Sequence, residues 1–156
     1  MAEIKTLLVG LLALCLVNSC FCKDYDSYIY QLIAQSKDSS GNVHVDAASI
    51  IGLDRSRLTS QSTAAALKMS YAEVDTIAAS FKSNDFTSFK MSGVRVGGIR
   101  YDFLRQDGNE VFASKKNYGG IVMMKSKTAI VIAHYPEGRQ VSNAAKGVEA
   151  ITGYLQ

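Results

Sequence analysis

The sequence SGVRVGGIRYDFLRQD, residues 92–107, contains the clearest structural signal in the chain. Two β-rich runs, Val94–Val96 and Ile99–Arg105, flank the glycine pair Gly97-Gly98. A connection of two residues between strands needs left-handed backbone conformations, which glycine adopts without a steric penalty. The stretch therefore predicts a tight antiparallel hairpin.

Further short β-rich runs lie on both sides of this hairpin, separated by turn-forming residues. One precedes it, at Phe86–Phe89, and three follow it, at Glu110–Ser114, Ile121–Lys125 and Ala129–Tyr135. The connections are too short to contain crossover helices, so neighbouring strands must be antiparallel. This half of the chain is predicted to be an antiparallel meander.

The region before the meander combines a further hairpin with a helix. Ala47–Gly52 and Arg57–Gln61 lie on either side of a polar turn, which predicts two paired strands. Ser70 and Glu73 have the spacing of a capping box, and apolar residues follow them at helical intervals. A short helix is therefore expected from about residue 71.

The two ends of the domain are predicted to be amphipathic helices, the first ending near Ser36 and the last beginning near Ser142. Because each must bury an apolar stripe, the sheet is the available partner. The expected fold class is α+β, an α/β sandwich whose central antiparallel sheet carries the N- and C-terminal helices on one face. The stripes consist of Tyr25, Tyr28, Ile29, Leu32 and Ile33 in the first helix and Val148, Ile151 and Leu155 in the last.

Residues 1–22 have the layout of a signal peptide: a short start containing Lys5, the apolar run LLVGLLALCLV, and small residues before Lys23. The run is too short for a transmembrane helix, which needs about 20 apolar residues. The alternative is a mis-assigned upstream reading frame or a retained extension, which covers no part of the fold. All three cysteines of the chain lie in this segment, so the body is expected to fold without disulfides, as suits a cytosolic protein.

Three stretches of the body, residues 23–156, resemble the profilin family. They are YDSYIYQL at 25–32, the hairpin sequence at 92–107, and SKKNYGGI with KTAIVIAHY at 114–121 and 127–135. The resemblance implies a monomeric profilin-like domain without a cofactor, located in the cytoplasm and cytoskeleton. It also implies three partners: the actin monomer, proline-rich proteins and phosphoinositide membranes.

By this resemblance, the groove for proline-rich ligands contains Tyr25, Tyr28, Leu58 and Tyr154. Proline-rich chains form extended helices that bind between flat aromatic rings, and tyrosines three apart on a helix project together. The family's usual tryptophans correspond here to Tyr25 and Leu58, and the chain contains no tryptophan. Weaker binding is expected, because indole offers the largest ring face. These tyrosines could instead only pack the terminal helices.

The family's charged actin-facing positions correspond to Arg100, Arg105, Lys116 and Glu149. These residues could also be ordinary solvated charges. Just before the last helix, profilins often carry polar or basic residues where this chain has Ala144 and Ala145, which suggests weaker actin binding.

The basic residues could also hold a phosphoinositide headgroup, and the set implied for this role is Arg100, Arg105, Lys115, Lys116 and Lys125. Lipid and actin would then compete. The net charge of +3 is too small to indicate nucleic acid as a partner.

An enzyme is not expected, and no catalytic or metal-binding residues are predicted. The body has no cysteine, its histidines are His44 and His134, and no nucleophile triad, metal-ligand cluster or phosphate loop is recognisable. The alternative function left open is an exported profilin-fold module that binds peptides or lipids and has lost actin binding.

Overall fold

The computed structural model describes residues 24–156, so the signal-peptide-like segment predicted at residues 1–22 lies outside the described residues. The chain forms four helices and six strands over this range. The elements are α1 (Tyr25–Gln35), β1 (Ala47–Gly52), α2 (Tyr71–Ser83), α3 (Thr87–Ser92), β2 (Val94–Val96), β3 (Ile99–Asp107), β4 (Glu110–Lys115), β5 (Gly119–Lys125), β6 (Ala129–Pro136) and α4 (Val141–Tyr154).

The six strands form one antiparallel sheet in the order β1-β6-β5-β4-β3-β2, which confirms the predicted meander. The β2–β3 turn has positive φ angles at both Gly97 (61°) and Gly98 (79°), as a two-residue hairpin requires. The Glu73 carboxylate accepts hydrogen bonds from both of their N–H groups, at 3.1 and 2.8 Å. The capping-box glutamate of α2 therefore also holds the hairpin.

Alternating side chains of the sheet contribute to two separate cores. On one face, Ile29 and Leu32 of α1 and Val148 and Ile151 of α4 pack together against the sheet. On the other face, α2 and α3 cover the sheet with a core that includes Phe81 and Phe89. The prediction that both terminal helices share one face is confirmed.

α1 and α4 approach each other closely at Gly147. A Cβ atom at this position would lie 2.7 Å from the Leu32 carbonyl oxygen, inside the contact distance that real Cβ atoms keep. The hydroxyl of Ser36, at the end of α1, accepts hydrogen bonds from the N–H groups of His44 and Val45, each at 3.1 Å. These contacts bring the two ends of the domain together.

Two predicted strands are wrong. Phe86–Phe89 belongs to a helical turn, because the Asp85 carboxylate accepts from the Thr87 N–H (3.1 Å) and the two phenylalanines then point to the same core. The segment predicted as Arg57–Gln61 makes only one antiparallel bridge, between Arg57 and Ile51, and otherwise runs as irregular chain.

The two helix starts that the sequence predicted differ in their caps. Asp24 lies at the N-cap of α1, but its side chain makes no capping hydrogen bond. The capping box at Ser70 and Glu73 is present as predicted.

Within residues 24–156, every helix is too short or too polar to cross a bilayer.

The glycines of α4 provide a matched test of the close helix contact. Gly147→Ala is expected to destabilise the fold by about 1–3 kcal/mol, because the added methyl group meets backbone that cannot move aside. Gly153→Ala should be neutral or stabilising by up to about 1 kcal/mol, since Gly153 is helical with open space around it. Urea unfolding measures both, and equal effects would contradict the close-contact interpretation.

Candidate functional site

Three tyrosines form a row where α1 and α4 meet, and we call Tyr25, Tyr28 and Tyr154 the tyrosine row. The rings of Tyr25 and Tyr28, one helical turn apart on α1, pack edge to face with centroids 6.2 Å apart. Tyr28 stacks on Tyr154 of α4, at 6.3 Å and 25° between ring planes. Tyr154 is 57% exposed, and the other two rings are half-buried.

Leu58, the fourth residue predicted for the proline-rich groove, lies beside this row. It is half-buried, packs on the same core as the terminal helices, and lines a depression of about 350 Å³ together with Tyr25, Arg57, Asp24 and Asp26. The structure therefore brings all four predicted groove residues to one side of the domain. Arg57 was not predicted, because its neighbours come from a distant part of the chain.

The charged residues predicted to face actin lie mainly on the other side of α4. α4 packs mainly on β5 and β6 of this face, and most side chains of β3 beyond it are exposed. Arg105 pairs with Phe112 across β3 and β4, next to a register shift at Leu104. We call the uncovered surface, made of Arg100 and Arg105 from β3, Glu110 from β4 and Glu149 from α4, the charged strip.

The arginines of the charged strip are held loosely. Arg100 pairs with Asp102 at 3.0 Å and Arg105 with Asp107 at 3.2 Å, and all four side chains are half-exposed or more. The Arg105 guanidinium also lies 4.3 Å from the centroid of the Phe112 ring. Exposed ion pairs contribute at most about 1 kcal/mol, so a partner could replace these carboxylates.

Glu110 is a residue of the strip that sequence reasoning missed. Burial, and then the adjacent carboxylate of Glu149, raises the pKa of Glu110 to about 7, with Asp107 adding to the rise and Arg105 opposing it. Its Oε2 atom is buried and has no hydrogen-bond partner among residues 24–156. Nothing in the local sequence of β4 indicates this pairing, which depends on how α4 packs.

The lysines predicted for phosphoinositides do not all come together. Lys115 and Lys116 flank the β4–β5 turn and line a depression of about 270 Å³ together with Arg139, which sequence reasoning missed. Lys125 lies at the far end of β5, about 20 Å away at the usual rise per strand residue. Its Nζ atom donates to the Phe81 carbonyl oxygen at 3.4 Å.

Ala144 and Ala145 do not weaken the surface that was expected to face actin. Both are buried in α4, at 0% and 8% exposed, so they are core positions and remove nothing from the surface.

His44 has a structural role. It donates from Nε2 to Asp38 (2.8 Å) and accepts at Nδ1 from the Gln140 N–H (2.8 Å), which fixes the start of α4.

The Glu110 carboxyl predicts a pH dependence of stability. Because its pKa is raised from 4.5 in the ordinary case to about 7, the folded state binds the proton more tightly than the unfolded state. Its stabilising contribution is complete below about pH 4.5 and is lost as the pH rises through about 7. Stability should therefore fall between pH 5 and pH 8 on account of this group.

Glu110→Gln should reduce that fall, and it should make the protein more stable than wild type at pH 8 but not at pH 5. Urea unfolding at the two pH values measures the difference. Asp75→Asn, at an exposed acid of α2, is the control and should leave the slope unchanged. An identical slope in wild type and Glu110→Gln would contradict the pairing.

Comparison with known proteins identifies the family of this chain. The family model described as Profilin matches residues 23–156. The profilin of Suberites domuncula is 49% identical over 134 residues, covering 85% of this chain and 96% of that protein. The profilin of Clypeaster japonicus is 50% identical over the same length and the same shares.

Solved profilin structures have the same fold. Acanthamoeba castellanii profilin II matches with a TM-score of 0.64 at 29% identity, covering 80% of this chain and 94% of that one. Mouse profilin IIa, solved with a double repeat from the FH1 domain of mDia1, gives 0.62 at 17% identity over 85% and 96%. LokiProfilin2, solved with rabbit actin, gives 0.54 at 15% over 72% and 84%. The chain belongs to the profilin family.

Proposed function

We propose that this protein binds actin monomers through the charged strip and proline-rich segments through the tyrosine row, and thereby regulates actin filament assembly. The observation that carries the proposal is the stacking of Tyr28 on Tyr154, which builds a partly exposed row of rings from the two terminal helices of the domain. The charged strip supplies a second surface, which offers charged groups instead of aromatic rings.

The tyrosine row suits a polyproline II helix, because such a ligand binds between flat aromatic rings. The helix has three residues per turn, so the residues on one of its sides lie about 9.3 Å apart. The consecutive ring centroids of the row are 6.2 and 6.3 Å apart, so the three rings form one continuous aromatic surface without a gap along the ligand. Prolines carry no N–H group, and their carbonyl oxygens can accept from the tyrosine hydroxyl groups. The continuous aromatic surface supports proline-rich chains as the partner, as the FH1 repeat is for mouse profilin IIa.

The charged strip suits a protein partner that carries charges of both signs. Arg100 and Arg105 offer cations in weak ion pairs, and Glu110 and Glu149 form a crowded acidic pair that a partner cation would relieve. Lys116 lies at the β4–β5 turn and extends the basic part of this region. LokiProfilin2 in its complex with rabbit actin supports the choice of actin as that partner.

The two partners can bind at the same time, because their sites use different sides of α4. Glu149 and Tyr154 are five residues apart, so their side chains point about 140° apart around the helix axis. A cytoplasmic location follows from the proposed function, since actin monomers are found there. A protein found only in the culture medium, with a chain that begins near Lys23, would contradict that location.

A reciprocal pair of variants tests the two surfaces. Tyr28→Ala should weaken binding of a proline-rich peptide by at least about tenfold, because it removes the central ring of the row. It should leave the effect on pyrene-actin assembly unchanged. Arg105→Glu should weaken actin binding by a similar factor and leave peptide binding unchanged. If micromolar wild-type protein alters neither actin assembly nor nucleotide exchange on the monomer, the actin part of the proposal is wrong.

We further propose that the depression lined by Lys115, Lys116 and Arg139 binds the phosphoinositide headgroup. Three basic residues and one acid, Glu137, line it, which leaves an excess of positive charge. Each basic residue near an anionic surface contributes about 1 kcal/mol. Lys125, which points toward the Phe81 carbonyl at the other end of β5, adds little to this cluster.

The lysines provide matched variants for this part. The double variant Lys115→Ala, Lys116→Ala should weaken binding to vesicles containing phosphatidylinositol bisphosphate by about 30-fold, from two charges at about 1 kcal/mol each. Lys125→Ala should bind like wild type in the same sedimentation assay. Equal losses in both variants, or binding that ignores the bisphosphate content, would contradict the assignment.

A further inference from the structure

Tyr71 is an exposed tyrosine outside the tyrosine row, and an arginine holds its ring. Tyr71 is the first residue of α2, and 71% of it is exposed. The guanidinium carbon of Arg57 lies 3.8 Å from the centroid of its ring, which is a close cation–π contact. An exposed aromatic ring fixed by an arginine can contact a ligand with little loss of side-chain entropy.

Arg57 connects this pair to the tyrosine row. It lines the same depression of about 350 Å³ as Tyr25 and Leu58, which are two of the residues assigned to the proline-rich groove. We call Arg57 and Tyr71 the Arg–Tyr platform. Arg57 therefore joins the platform to the depression that Tyr25 and Leu58 also line.

The hydrogen-bonding groups at this end of the groove favour one kind of occupant. Arg57 is half-buried, and its cationic guanidinium favours acceptor groups. An extended proline-rich chain has no internal hydrogen bonds, so its carbonyl oxygens remain free to accept. The carboxylates of Asp24 and Asp26 line the same depression and would repel an acidic or phosphorylated ligand.

We propose that the footprint of the proline-rich ligand runs from the tyrosine row past Leu58 onto the Arg–Tyr platform, so that the protein distinguishes long proline-rich segments from short ones. This inference rests on the proposed binding of proline-rich segments by the tyrosine row. It adds Arg57 and Tyr71 as residues that determine the preferred length of the ligand.

Calorimetric titration with hexaproline and dodecaproline peptides tests the inference. At about 3.1 Å per residue, the peptides are about 19 and 37 Å long, so only the longer one can cover the row and the platform together. Tyr71→Ala should weaken dodecaproline binding by about tenfold through loss of one aromatic contact, and it should change hexaproline binding by less than about twofold. The longer peptide also gains from additional binding registers, but that gain is the same in wild type and variant.

Two further variants sharpen the result. Arg57→Met keeps the apolar stem and removes the guanidinium, and it should show the same selective loss for dodecaproline. Tyr30→Ala is the control, because Tyr30 is also an exposed tyrosine (54%) and is not part of the groove. It should leave the affinity for both peptides unchanged. Circular dichroism melting checks that each variant is folded.

The outcomes separate this inference from the proposed function. If wild type binds both peptides and Tyr71→Ala leaves dodecaproline binding intact, the extended footprint is wrong and the tyrosine row stands. An equal loss for the two peptides would also overturn it, because Tyr71 would then belong to the short footprint. If wild type binds neither peptide, the proposed proline-rich function and this inference both fail.

Discussion

The contact between α1 and α4 at Gly147 is the constraint on which the functional surfaces depend. With the Leu32 carbonyl where a side chain would otherwise lie, only glycine lets the helices approach so closely. This approach allows Tyr28, near the start of the domain, to stack on Tyr154, near its end. The tyrosine row therefore depends on tertiary packing, and it cannot form when α1 and α4 are separated.

A second constraint acts on the opposite face of the sheet. The buried Glu73 carboxylate accepts three backbone hydrogen bonds, from the N–H groups of Ser70, Gly97 and Gly98. A buried carboxylate is stable only when it is fully hydrogen-bonded, so helix start and hairpin must form together. This fixes the β2–β3 edge of the sheet and, with it, the position from which Arg100 reaches the charged strip.

The sequence predicted those features that depend on local rules. The glycine pair and short connections indicated the meander, and helical spacing indicated that Tyr25 and Tyr28 project together. The errors came where local rules are ambiguous: the run Phe86–Phe89 suits a strand or a helical turn, and the turn in which Asp85 accepts from the Thr87 N–H favours the helix. Residues far apart in the sequence also come into contact, such as Glu110 with Glu149 and Arg57 with Tyr71. Such contacts leave no local sequence pattern, so only the structure shows them.

The absence of tryptophan explains why the Arg–Tyr platform matters to the groove. A groove lined by tyrosines offers less ring area than one lined by indoles, so each contact contributes less to affinity. Tyrosine keeps a hydroxyl that can donate to ligand carbonyls, and side chains three apart on a helix remain neighbours whatever their ring type. A groove of modest contacts gains affinity by becoming longer. In the proposed footprint, the exposed ring of Tyr71, held by Arg57, supplies that additional length.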